Sequence, residues 1–335
     1  MDKVGKAVNR KIEYSDNDYF AKQYKGFALL KFRFKIWLNF RKADRRLKET
    51  LLRGECYYGP FKGEFGHFLA HNLPFLMYLH SKGVKIRYCG MALHSPFLVD
   101  ENRNSIIHDY RALRDFFAEV SPSSNNTQPP KDVIVEMENW QSEAKVSGLP
   151  YWNIDDEYYY WFIHRNWLLK GPFTKTYRLD KSYACVKENS VAVFPRSKGA
   201  KSSLNNGESW DYEKLISMLS NYFDKVYVCG HPSQVLSFKP HGNIEMCVTT
   251  DNAMIIEKSA KSKLIITQHS GVNNIGEYTN TQVLIIYKGK LPIGSIQNTQ
   301  RFRPFIAGNG NTELYPLSFA YSEDEVLQYV KEFSS

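Results

Sequence analysis

The sequence predicts an α/β protein of two domains behind a basic helical extension, and three observations point there. Apolar β-prone runs alternate with helical patterns from residue 190 onward, and a loop, helix and strand follow one another at 59–90. The chain has 335 residues, more than twice the roughly 150 of a typical domain. The divisions fall at 1–53 for the extension, 54–180 for a first α/β domain and linker, 181–320 for a second, and 321–335 for a closing helix. With 43% hydrophobic and 24% charged residues, wholesale disorder is excluded.

The extension comes first. Over 26–43, Leu29, Phe32, Ile36 and Phe40 fall at helical spacing while Lys31, Lys35 and Lys42 lie off that line. The net charge of +9 is concentrated here: residues 1–53 hold 15 Lys and Arg against 6 Asp and Glu, and the remainder holds 29 against 29. A basic aromatic helix of this kind either lies on an anionic membrane surface, through residues 26–53, or packs its aromatic side on the body of the protein. The balanced remainder has no basic stripe, RNP-like motif or zinc spacing, so no nucleic-acid partner is expected.

Next, at 59–90, Phe68, Leu69, Leu73, Leu76 and Leu79 share a helical face, and a strand follows at 84–89 after Lys82-Gly83. Residues 121–131 read as a polar loop, 133–135 as a strand, and the aromatic run at 151–180 as packing between domains or an acceptor surface. From Ser190 the order is strand 191–194, helix 212–223, strands 225–229 and 244–248, helix 252–259, strand 264–267, helix 272–279 and strand 283–287. Such alternation implies a parallel sheet, whose post-strand loops share the edge where open α/β sheets bind ligands.

Three of those loops carry suitable groups. Arg196 and Lys198 follow the first strand and offer two cations to phosphate oxygens; Gly230 and His231 follow the second. Then His269, Ser270 and Gly271 form a small hydrogen-bonding turn at a helix start, suited to a diphosphate. Glu277, seven residues beyond Ser270, is placed to accept from ribose hydroxyls. Neither GxGxxG nor GxxxxGK[ST] is present.

In the first half, Glu64, His67 and His71 cluster at a helix start. His67 and His71 share a face at i, i+4, but the HExxH order and a third ligand are missing, so no metal site is expected. Glu64 or His67 suits removal of a proton from an acceptor hydroxyl, whereas His71 reads as helix packing. The five cysteines, Cys56, Cys89, Cys185, Cys229 and Cys247, form no CxxC pair and read as buried thiols. No run of about 18 apolar residues occurs, and residues 1–11 are polar with no apolar core behind them, so a cytoplasmic location is expected.

Gly63-Glu64-Phe65-Gly66-His67 leading to Leu73-Pro74-Phe75-Leu76, followed by FPRSKG, WDYEKLISML, VYVCGH and IITQHSG, resembles the GT-B glycosyltransferases, most closely the heptosyltransferase-like branch. The similarity covers roughly 55–90 and 190–290. The interval from Glu64 to Leu73-Pro74 is longer than in that group, Gly66-His67 aligns more closely, and His269 stands where Asp is common. The resemblance implies two Rossmann-like domains facing across a cleft. It also implies metal-independent transfer of a sugar from a nucleotide-sugar donor to a hydroxyl of a glycan or glycolipid acceptor, with no cofactor. Inversion would follow with Glu64 or His67 as base, and Arg196, Lys198 and the HSG turn would neutralise the leaving diphosphate. By analogy, the work would be lipopolysaccharide or capsule assembly at the inner membrane face.

Two other classes compete. A metal-dependent GT-A transferase needs an acidic pair after a strand, for which Glu136-Met137-Glu138 is the nearest match; Asp16-Asn17-Asp18 lies in the polar tail. A non-catalytic nucleotide- or glycan-binding module at a membrane would bind without turnover.

Overall fold

A computed structural model describes residues 25–62, 65–116, 119, 129–169, 177–183, 186–195, 210–232, 235, 239–268, 271–286, 317–320 and 322–334. The first helix, α1 (Gly26–Arg53), ends where Gly54 turns into the left-handed region at φ 67° and donates its N–H to the Thr50 carbonyl. Its buried residues Ile36, Asn39, Ala43, Leu47 and Thr50 continue the line begun by half-buried Leu29 and Phe32. The 3–4 spacing of the sequence therefore faces the body of the protein.

Four parallel strands form the first sheet: β1 (Glu55–Phe61), β2 (Lys85–Met91), β3 (Asp109–Leu113) and the two-residue β4 (Tyr151–Trp152), in the order β3-β2-β1-β4. Between β1 and β2 runs α2, a continuous helical segment in three parts. Phe65–His67 is α-helical, Phe68–Asn72 is a π-turn, and Leu73–Ser81 is α-helical with Pro74 in its first turn. Proline is tolerated there because the first-turn N–H groups have no helical acceptor. A 3-10 segment, Ala92–Phe97, follows β2.

Residues 133–135 are not a strand. They lie in α3 (Lys131–Val146), where Val133, Met137, Trp140 and Ala144 are buried at a helical period against β1, β2 and β3. That period runs through sixteen residues and outweighs the local β-branched trio. Glu136 and Glu138 are consequently exposed mid-helix side chains, and the GT-A pair loses its strand.

The aromatic run packs into the core. Its helix α4 (Glu157–Leu169) packs on α1, through the edge-to-face pair Phe32 and Trp161, and on the first core, through Phe162 against Phe75 and Trp152. Its Tyr159 and Phe162 belong to the apolar cluster that also takes in Ala192 and Phe194.

After a short helix, α5 (Leu179–Ser182), the second sheet contains β5 (Glu188–Phe194), β6 (Lys225–Gly230), β7 (Ile244–Val248), β8 (Ser262–Thr267), β9 (Gln282–Ile286) and β10 (Leu317–Ala320). All its pairings are parallel, in the order β10-β9-β8-β5-β6-β7. Helices α6 (Tyr212–Leu219), α7 (Asn252–Lys261) and α8 (Ile275–Thr279) connect strands, and α9 (Glu323–Ser334) closes the chain. The expected helix at 272–279 is split: Gly271–Asn274 is a 3-10 turn and only then does α8 begin. The alternation of strands 191–194, 225–229, 244–248 and 264–267 is as expected: 244–248 keeps its bounds and no end moves by more than three residues.

Numbered from its own first strand, the second sheet has the doubly wound order 3-2-1-4-5-6, and the first has the same order as far as its fourth strand. Val191 and Val193 face one layer with Leu215, Val326 and Val330, while Ala192 and Phe194 face the other with Tyr278. That second layer is continuous with the first sheet's Tyr58, Phe75, Tyr88 and Trp152, so one apolar core joins the two sheets. The α/β architecture with parallel sheets is as expected.

Candidate active site

In a doubly wound sheet, ligands bind beyond the carboxyl ends of the strands, where the order reverses direction. In the second sheet that point lies between β5 and β8, and in the first between β1 and β4. The chain leaves β5 into Pro195 and Arg196, β8 into Gln268 and His269, and β1 into Gly63 and Glu64. Arg196, Lys198, His269, Ser270 and Glu64 lie outside the described residues, but the strands that lead into their loops are fixed.

The two carboxyl edges face each other, because loops from matching strand ends meet. After β1, the Phe65–His67 turn lies against the 3-10 turn after β8. A Cβ added to Gly271 would sit 2.4 Å from the Gly66 nitrogen and 2.6 Å from its Cα; one added to Gly66 would sit 2.9 Å from the Gly271 Cα. Only backbone without side chains approaches this closely. Beyond β2, the Leu93 carbonyl accepts a 2.6 Å hydrogen bond from Asn252 Nδ2 at the start of α7. Beyond β3, Asp115 Oδ2 pairs with His231 Nε2 at 2.8 Å, directly after Gly230 at the end of β6. Buried Tyr278 of α8 donates to the Leu69 carbonyl of α2 at 2.6 Å.

His231 was expected to face a donor. Here it reaches the other sheet's Asp115, and both side chains are largely covered. Glu277 is 8% exposed and sits in α8 beside Tyr278. Gly271 opens a four-residue 3-10 turn ahead of the five-residue α8. Few aligned amides stand at such a start, so an anion bound there depends on neighbouring loop cations.

His67 is exposed at the end of the α-helical turn, its ring 5.0 Å from that of buried His71. A buried polar cluster holds this turn in place. Asn72 Oδ1 accepts from Tyr58 at 2.6 Å and from Tyr159 at 3.0 Å, its Nδ2 donates to the His67 carbonyl at 3.2 Å, and the two tyrosine hydroxyls also bond each other. Burial pushes both phenols far above their ordinary range, so they stay protonated. Nearby, His94 stacks on Phe68 with centroids 3.9 Å apart, and complete burial lowers its pKa from 6.5 to about 3.

Among the described residues no three His, Cys, Asp or Glu side chains converge as a metal set. Cys56, Cys89, Cys229 and Cys247 are free and buried, and Cys185 lies outside the described residues. Asn72, Asp115 and Asn252 were missed in the sequence, and Tyr159 was noticed only as part of the aromatic run. Of the three, Asn72 left a trace there, as a polar residue in an otherwise apolar helix.

No protein-family model matches the chain, and no curated protein matches it in sequence. In structure the chain is similar to the E. coli heptosyltransferase WaaC solved with ADP, at 10% identity over 83% of this chain and 99% of that one, with a TM-score of 0.49. It is also similar to E. coli ADP-heptose lps heptosyltransferase II, at 12% identity over 84% and 98% of the two chains, TM-score 0.47. A third is a glycosyl transferase of family 9 from Veillonella parvula, at 10% identity over 83% and 89%, TM-score 0.42.

Proposed function

We propose that the protein is an inverting, metal-independent glycosyltransferase that moves a sugar from a nucleotide-activated donor to a hydroxyl of a glycan or lipid-linked glycan. The acceptor belongs to surface polysaccharide, lipopolysaccharide or capsule, assembled at the inner face of the membrane. One observation supports this reading above the rest: two doubly wound sheets present their carboxyl edges to each other, and their two reversal points are drawn together at Gly66 and Gly271.

The chemistry assigned to each side follows from the residue types. Glu64 or His67 takes the proton of the acceptor hydroxyl, whose oxygen bonds the anomeric carbon as the bond from that carbon to the diphosphate oxygen breaks. The leaving electron pair stays on the diphosphate. Arg196 and Lys198 after β5, with the turn at His269, Ser270 and Gly271, offset that growing charge, and Glu277 receives the ribose hydroxyls. With two loop cations available, charge neutralisation needs no bound divalent ion.

Melting curves in EDTA with UDP, GDP, CDP, CMP and ADP test the donor side. One nucleotide should raise the midpoint, since a ligand at a hundred times its Kd adds about 2.7 kcal/mol. The Arg196→Ala/Lys198→Ala double variant should lose that rise. A rise that needs divalent metal would favour a different transferase class, and no rise with any of the five would overturn the reading. For the acceptor side, Glu64→Gln and His67→Gln are compared by turnover. The one that removes the base should slow transfer by roughly a hundredfold to ten-thousandfold with nucleotide binding intact. Binding without turnover in the parent protein would instead favour the binding-module class.

A further inference from the structure

Helix α1 carries two apolar lines, and only one of them is covered. Opposite the buried line of Ile36, Ala43 and Leu47 lies a second, with Phe27 80% exposed, Leu30 64%, Phe34 59% and Trp37 47%. At about 100° per residue these four side chains fall in an arc of about 80°. Phe34 stacks on Trp37 at 5.7 Å, and the Arg41 guanidinium lies 5.0 Å over the Trp37 ring. From there the same face continues as Arg41, Arg45 and Lys48, which with Trp37 and Asp44 line a shallow pocket. The outer face is thus apolar along its first half and cationic along its second.

We infer that this outer face of α1 docks obliquely on an anionic lipid bilayer, with Phe27, Leu30, Phe34 and Trp37 entering the boundary of headgroups and acyl chains and Arg41, Arg45 and Lys48 meeting headgroup phosphates. Charge complementarity selects this occupant. Residues 26–53 contain nine Lys and Arg against two Asp and Glu, whereas residues 54–335 balance. A second copy of the chain would set these cations against their own kind, while an anionic bilayer accepts aromatic rings at its interface and cations just above. No helix among the described residues is long and apolar enough to cross a membrane, so α1 lies on the surface rather than spanning it. That the same bilayer carries the acceptor rests on the proposed function; the docking itself does not.

The test is co-sedimentation of the full chain with phosphatidylcholine vesicles, with and without phosphatidylglycerol. The protein should pellet with the anionic vesicles, less so as salt is raised, and stay in solution with the zwitterionic ones. Phe27→Ser/Leu30→Ser/Phe34→Ser and, separately, Arg41→Gln/Arg45→Gln/Lys48→Gln should each weaken partition at least tenfold while melting as the parent does. Ile134→Ser/Val135→Ser, on the exposed side of α3, should change nothing. Equal pelleting with both vesicle types, or none with either, overturns the inference. So does a dimer in analytical ultracentrifugation that the serine variant converts to monomer without any vesicle binding. Nucleotide-induced melting shifts, measured on the same preparations, report separately on the transferase reading.

Discussion

Gly66 and Gly271 show how much can depend on two missing side chains. The atoms that a Cβ at Gly271 would strike belong to the Gly66 backbone, so no rotamer change can relieve the contact. Gly271→Ala should therefore push the two sheet edges apart and, if the proposed function holds, lower kcat by roughly tenfold to a hundredfold, as displacements near 1 Å do. A turnover assay with saturating donor checks it. At His94 the expectation concerns pH. Its folded-state pKa near 3 lies below the ordinary 6.5, so between those values the unfolded chain binds the extra proton and stability falls as the pH falls. The loss approaches about 1.4 kcal/mol per pH unit in the middle of that window. His94→Phe gives up the 3.3 Å contact with Tyr88 and is less stable at neutral pH, but denaturant titrations from pH 6.5 to 4 should show the gap to the parent closing.

At the scale of elements, legibility followed the length of the repeating pattern. The second sheet could be read because β5, β6 and β8 are short apolar runs buried on both faces, and each is bounded by turn residues. The first sheet's edge strand β3 was harder, although β7, at the edge of the second sheet, was read with its bounds. β3 is Asp-Tyr-Arg-Ala-Leu, mostly half-exposed, and its identity comes from pairing with β2 rather than from its own composition. The strand expected at 133–135 failed because a three-residue run cannot be told from a turn of buried helix by local propensity. In the site, the sequence put candidate anion-binding residues directly after the strands, and most of them lie outside the described residues. What the loops meet was not legible, since the partnership of His231 with Asp115 spans 116 residues and depends wholly on tertiary arrangement. The tie between α1 and β4 is equally nonlocal. Thr50 Oγ1 accepts from the buried Trp152 indole at 3.0 Å and donates to the Arg46 carbonyl at 2.8 Å. Thr50→Val keeps the shape but strands the indole N–H in the core, which should cost about 1–3 kcal/mol in chemical unfolding.

For the molecule as a whole, the two sheets are held by a few polar ties laid over a shared apolar core. Among the described residues, Asn252 to Leu93 and Tyr278 to Leu69 have buried donors. Asn252→Ala/Tyr278→Phe should lower the melting midpoint modestly, since each lost bond is worth about 1 kcal/mol net. It should also enlarge the radius of gyration in solution scattering, and a bound nucleotide should reverse that expansion. The π-turn at Phe68–Asn72 gives this arrangement a further property. A turn of that kind absorbs one residue more than an α-turn, so it acts as a phase adjuster between the anchored segment Leu73–Ser81 and the Gly66 turn ahead of it. Deleting a single residue from 68–72 would let the segment wind as an uninterrupted α-helix with the Gly66 turn close to its present phase, whereas inserting one more would swing everything upstream by about 100° about the helix axis. With such an insertion Gly66 would rotate away from Gly271, and a chain one residue longer could keep its core while losing the alignment of its two edges. Insertions in this short stretch are thus a means of retuning how the sheets address each other without touching a residue that either sheet contributes.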